Sequence, residues 1–321
     1  MKVESPDEIT FLRKLFPQES WQKYFLHLNK LSSANPLDWE EIDFPIELAI
    51  ELTNYCNLRC IMCPVPLMKR KRGYMPREIF TKIINEVSEQ HGFICLPQGF
   101  GESLLHKKWH ELVGIARDLH IKPIIVLSNG TLIKGEALDQ LIELVDAIVV
   151  TLDGATAKTY EHIRLNSSFE KVTENILQFL NKRGNKETPR LVLRIIKMKA
   201  TEKDIDEFCS YWTKILDAKD IIQVAGFNDW VGSVPYIGLP AVPQLKTRTP
   251  CKMLWKNLTV YFDGVVTPCC YDSEGKLAIG DVAAKSLVDI WRGDNLRELR
   301  NLHLKGDFEK ISLCSQCKNW L

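Results

Sequence analysis

Eight of the ten cysteines in this 321-residue chain fall into three groups: Cys56, Cys60 and Cys63; Cys251, Cys269 and Cys270; Cys314 and Cys317. Cys95 and Cys209 stand alone and read as core residues. Residues Met1 to Leu15 are too charged for a secretory signal, so the expected compartment is the cytoplasm. Clustered thiols in a reducing compartment favour metal ligation over disulfides. With 42 basic and 41 acidic residues, the chain gives no electrostatic reason to expect a nucleic-acid or membrane partner. No apolar run approaches the roughly 20 residues that span a bilayer.

From residue 46 onwards the pattern alternates between strand-like and helix-like segments. Strands are expected at Ile46–Thr53, Phe93–Phe100, Pro123–Ser128, Ala147–Leu152, Leu191–Met198 and Ile221–Ala225. Helices are expected at Pro76–His91, Lys107–His120, Lys134–Val145, Phe169–Arg183 and Glu202–Leu216, the last with Thr201 and Asp204 as a capping pattern. Such alternation implies an α/β fold with a parallel sheet: open and doubly wound, a full barrel or a partial barrel. Six units are too few for a full eightfold barrel. Residues 1–45 read as an N-terminal helical extension, with helix-like stretches at Ile9–Phe16 and Trp21–Leu31. Residues 46–230 form the α/β unit, and the Gly- and Pro-rich 231–250 read as a linker or substrate loop. Residues 251–321 form a small unit with a hairpin about Asp263-Gly264 and a helix over Ser286–Leu302.

Cys56-Asn-Leu-Arg-Cys60-Ile-Met-Cys63 follows the first strand directly. Three thiolates on one loop can hold three irons of a cubane cluster and leave the fourth iron open. Zinc is the alternative, although a structural zinc takes four ligands and no fourth lies nearby in sequence. The CxxxCxxC spacing in this position resembles the signature of radical S-adenosylmethionine (SAM) enzymes, and the resemblance covers roughly residues 46–230. It implies a partial (β/α)6 barrel, a 4Fe–4S cluster and bound SAM, cleaved reductively to a 5′-deoxyadenosyl radical. Gly99-Phe100-Gly101-Glu102 is similar to the family's Gly-Gly-Glu, which implies that Gly101 and Glu102 hold the methionine ammonium. Ser128-Asn129-Gly130, Thr151-Leu-Asp153-Gly154 and Tyr160-x-x-x-Arg164 also resemble family motifs. On that basis Ser128, Asn129 and Asp153 are assigned to cofactor or substrate, with capping of a helix or turn as the alternative. Arg194 is assigned to the cofactor carboxylate, or else to a surface position. Met62 is assigned to adenine, with plain packing as the alternative.

The C-terminal cysteines sit on a hairpin and a distal CxxC, a four-ligand frame that zinc ribbons share. The segment resembles the SPASM and Twitch auxiliary-cluster domains. That implies a second 4Fe–4S cluster on Cys251, Cys269, Cys314 and Cys317, and an external reductant such as flavodoxin or ferredoxin. Cys270 is left over: an alternative ligand, an inert residue, or the catalytic thiol that returns hydrogen to a substrate radical. The last role favours epimerisation of a carbinol carbon in a sugar- or aminocyclitol-type substrate. A dehydrogenase that passes an electron to the second cluster, or a peptide-modifying enzyme, are the alternatives. Asn228, Asp229 and Trp230, after the sixth strand, are candidates for binding a sugar, or for packing against the C-terminal unit.

Overall fold

The computed structural model describes residues 13, 18–31, 39, 43–90, 94–96, 100–235, 237–238 and 248–318. The helix-like stretch Ile9–Phe16 lies outside the described residues except for Arg13, as do residues 239–247 of the expected loop. Helix α1 (Gln18–Leu31) precedes β1 (Glu47–Ile50), and its Tyr24 hydroxyl donates to the buried Glu47 carboxylate at 2.8 Å.

Five units of strand and helix then follow. They are α2 (Arg77–Glu89), β2 (Ile94–Leu96), α3 (Trp109–Asp118), β3 (Ile124–Ser128), α4 (Gly135–Leu144), β4 (Ala147–Thr151), α5 (Ala157–Ile163), α6 (Phe169–Arg183), β5 (Arg190–Ile196), α7 (Ile205–Thr213) and β6 (Ile221–Ala225). The central strands are near-continuous apolar runs because they are covered on both faces; all but one residue in each of β3 and β4 is buried. The helices are amphipathic. In α2, Phe80, Ile83, Ile84 and Val87 are buried, the 3–4 spacing of a single core-facing stripe. Helix α7 begins later than its sequence pattern, because the Asp204 carboxylate accepts from the Ala155 N–H at 2.9 Å instead of capping its own helix.

Strands run in the order β6-β5-β4-β3-β2-β1-β7-β8-β9, where β7 is Asn257–Val260, β8 Val265–Thr267 and β9 Gly280–Asp281. From β1 to β6 each strand lies parallel to the one before it. The winding never reverses, which excludes a doubly wound sheet and leaves a partial barrel. Strand β7 pairs in parallel with β1, Leu48 opposite Leu258 and Ile50 opposite Val260. The C-terminal hairpin therefore extends the barrel sheet. The expected helix over Ser286–Leu302 is two helices, α9 (Leu287–Trp291) and α10 (Asp294–Leu304), after the short α8 (Met253–Lys256) and before α11 (Ser312–Ser315). They break at Gly293, whose extended backbone precedes α10. Cys209 is buried in the main core; Cys95 lies on β2, and its side chain is outside the described residues. Among the described residues no helix is long and apolar enough to cross a membrane.

Candidate active site

The loop after β1 carries Cys56, Cys60 and Cys63, and the chain cinches its base. The Asn54 amide donates to the Lys71 carbonyl at 2.8 Å and accepts from the Gly73 N–H at 3.0 Å. Met75 N–H reaches the Leu52 carbonyl at 2.8 Å. The end of α5 braces the other side: Arg59 and Ile61 donate to the Leu165 and Ile163 carbonyls, each at 3.1 Å. The three thiols line one cavity of about 310 Å³. Residues at the C-terminal ends of β3 to β6 supply much of the remaining wall, as ligand sites in β/α barrels do.

Gly101 and Glu102 close on this loop. Gly101 has φ +94°, and a Cβ there would lie 2.1 Å from the Thr53 carbonyl oxygen, so only glycine fits. The Glu102 N–H donates to the Tyr55 carbonyl at 2.8 Å. Its carboxylate accepts from the Ser128 hydroxyl at 3.0 Å, the Asn129 N–H at 2.7 Å and the Leu104 N–H at 3.3 Å. Burial pushes the carboxyl up to about 7, against the opposing pull of these hydrogen bonds. Ser128 thus holds Glu102, and Ser128 and Asn129 also line the cavity. The Asn129 amide donates to Asn57 at 2.9 Å and lies 3.8 Å from the Cys56 sulfur.

Met62, Arg194, Asn228 and Trp230 also line the cavity. Met62 offers its carbonyl to the Trp230 indole N–H at 3.0 Å, and Arg194 donates to the Gln223 side chain at 2.6 Å. Trp230 packs against Phe100 and Tyr271, with ring centroids 5.5 and 5.9 Å away.

Three sequence-assigned residues are placed elsewhere. Asp153 does not line the cavity. Its carboxylate is fully buried, accepts from Arg164 at 2.8 and 2.5 Å and takes the Ile196 N–H at 2.8 Å, so it has no free face for a ligand. Arg164 does line the cavity and reaches the Cys60 sulfur at 3.5 Å. Asp229 is buried outside the cavity. Cys270 is also buried and lines neither this cavity nor the second one; the charged groups acting on it are Glu47 and Lys256, themselves 3.3 Å apart. Its neighbour Cys269 does line the second cavity; with Cys270 outside both cavities, its thiol faces no space where a substrate would sit.

The second cavity is lined by Cys251, Cys269, Cys314 and Cys317, with Tyr271 and His303. Tyr271, which the sequence did not single out, lines both cavities and is their shared wall. Its only sequence signal is its adjacency to the cysteine pair. Burial pushes the thiols up, Cys56 to about 11 and Cys63 and Cys314 to about 12. They are neutral near pH 7 in the absence of metal, and metal binding must release their protons.

The radical SAM superfamily pattern matches residues 50–211, and the SPASM pattern, an iron–sulfur cluster-binding domain, matches residues 251–318. The chain is 25% identical over 291 residues to the tungsten-containing aldehyde ferredoxin oxidoreductase cofactor-modifying protein of Pyrococcus furiosus, covering 77% of this chain and 81% of that one. It is 21% identical to the antilisterial bacteriocin subtilosin biosynthesis protein AlbA of Bacillus subtilis (81% and 62%). It is 23% identical to the S-adenosyl-L-methionine-dependent 2-deoxy-scyllo-inosamine dehydrogenase of Niallia circulans (85% and 92%). Among solved structures, Streptococcus suis SuiB bound to precursor peptide SuiA superposes with a TM-score of 0.64 at 16% identity, over 87% of this chain and 71% of that one. With a partial barrel, a cysteine loop after β1 and a cysteine-lined unit at its end, this chain belongs to the radical SAM superfamily and carries a C-terminal SPASM domain.

Proposed function

We propose that this radical SAM enzyme holds two 4Fe–4S clusters and modifies a peptide. The convergence of Cys56, Cys60, Cys63 and the buried Glu102 on one cavity carries the reading. The donor sets fit: three thiols on one loop leave an iron open, and four thiols around the second cavity make a closed site.

Cys56, Cys60, Cys63 and Glu102 would hold a cluster with bound S-adenosylmethionine, which on one-electron reduction would supply a 5′-deoxyadenosyl radical for hydrogen abstraction from an unactivated carbon. The protein's part is to bind and orient. Ionised Glu102, fixed by Ser128 and the Asn129 backbone, would pair with the cofactor ammonium. Arg164, held by Asp153, presents positive charge to the Cys60 sulfur. Trp230 and Tyr271 form an aromatic side of the cavity, with Phe100 packed behind Trp230.

The expectation of a carbohydrate-like substrate is corrected to a peptide. A precursor peptide occupies the superposable SuiB, AlbA is named for bacteriocin biosynthesis, and further relatives bear maturation names. The dehydrogenase relative supports a second reading of the reaction type, oxidation with the electron passed to the C-terminal cluster. The test is anaerobic reduction of the reconstituted protein with SAM and pools of carbon-deuterated peptides. Deuterium appearing in 5′-deoxyadenosine supports a peptide substrate. Cofactor cleavage that never acquires deuterium from any pool rejects it.

A further inference from the structure

His303 lies in the last turn of α10 and is 1% exposed. It shares the second cavity with Cys251, Cys269, Cys314 and Cys317. Its Nδ1 accepts a hydrogen bond from the Cys251 backbone N–H at 3.2 Å. A ring nitrogen that accepts has its lone pair free, so the single proton of the neutral ring sits on Nε2. That Nε2 is buried and has no hydrogen-bond partner among the described residues. Orphaned buried donors are rare and call for an acceptor.

Little around the ring can serve as one. Phe308 packs edge-on against it at 5.0 Å. The Arg248 guanidinium, stacked over Phe308 at 4.3 Å, has no lone pair to offer. The Tyr271 hydroxyl pairs with Asn228. Leucines and the four cysteines make up much of the rest of the wall.

We propose that His303 is a positioning residue of the C-terminal cluster: Nδ1 fixes the Cys251 backbone while Nε2–H donates to a cluster or cysteinyl sulfur. The inference rests on the reading that these four thiols hold a cluster. A hydrogen bond to sulfur stabilises the reduced state, so this one sets the potential of the cluster upward. A higher potential makes it a better acceptor for an electron arriving from the adjoining cavity across Tyr271.

The test uses the full chain carrying Cys56→Ala, Cys60→Ala and Cys63→Ala, so that the C-terminal cluster alone gives an EPR signal, in potentiometric titration. In His303→Asn the amide oxygen takes the place of Nδ1 and keeps the acceptor for Cys251, but nothing replaces the Nε2 donor. In His303→Gln the amide nitrogen restores that donor. Both variants should keep the parent's iron and sulfide. His303→Asn should shift the oxidised-to-reduced ratio at fixed potential about tenfold towards oxidised, or about 59 mV for one electron, and His303→Gln should stay near the parent. An unchanged potential in His303→Asn overturns the proposal. So does loss of iron from that variant, which would make the ring a ligand. A triple-variant parent that binds no cluster removes the two-cluster reading itself, and the proposal with it.

Discussion

Asp153 is the residue whose replacement best separates a ligand-binding role from a bracing one. Its side chain is fully buried, and that of Arg164 is 11% exposed. Burial alone would lower the Arg164 pKa, but Asp153 and Cys60 hold it above its ordinary value. Asp153→Ala leaves a guanidinium without its partner in the interior, a loss of about 3–5 kcal/mol. It also strips the acceptor from the Ile196 N–H, about 1 kcal/mol or more. Taking the lower end of that sum, about 4 kcal/mol, and a urea slope of about 3 kcal/mol per molar, the midpoint falls by at least about 1.3 M. The assay is urea unfolding of the metal-free chain in reducing buffer. Asp153→Ala/Arg164→Met removes both charges and should recover more than half of the loss, because an apolar pair replaces a buried ion pair at little cost. A single variant within about 1 kcal/mol of wild type, or a double variant as unstable as the sum of the two singles, would refute the bracing role.

Glu102 is neutral below about pH 7 because burial raises its carboxyl, and only its ionised form pairs with an ammonium. Affinity for SAM should therefore drop about tenfold per pH unit below about 7, read by equilibrium binding to cluster-loaded protein. Glu102→Gln should bind weakly with no such slope; a wild-type affinity flat from pH 6 to 8 rules this out. Gly101→Ala meets the Thr53 carbonyl and adopts a left-handed φ, so it should cost about 1–3 kcal/mol or more and impair iron uptake at the N-terminal site, visible in a thermal melt and an iron assay. Cys270→Ala should retain wild-type iron and turnover, whereas Cys269→Ala should lose the iron of the second site. Loss of turnover in Cys270→Ala with full iron would restore the hydrogen-donor role that its position denies.

Much of the barrel was legible because its signals are local. Period-3.6 stripes such as Phe80, Ile83, Ile84 and Val87 and apolar strand runs such as Ile124–Ser128 depend on neighbours in sequence. The Cys56, Cys60 and Cys63 spacing and the Gly101-Glu102 pair were legible for the same reason. Asp153 was misread because a carboxylate at a strand end looks alike whether it faces a ligand or an arginine. Arg164 lies eleven positions away, and nothing local shows that the two meet. Helix α10 was fused with α9 because the single Gly293 is an ambiguous break.

The C-terminal unit was harder to read for a topological reason. Its hairpin signal said that Leu258–Phe262 forms a strand but not which strand it joins. Pairing β7 with β1, some 210 residues earlier, makes one continuous sheet, and it sets the start of the SPASM segment beside the strand that leads into the first cysteine loop. The geometry follows from that single pairing. Cys269 leaves β8 towards the second cavity, Cys270 turns back towards Glu47 on β1, and Tyr271 comes to stand between the two cysteine-lined spaces. Two cysteine-lined cavities built from residues roughly 200 positions apart can share the Tyr271 wall because the parallel β1–β7 ladder, hydrogen-bonded along its length, fixes the two segments side by side.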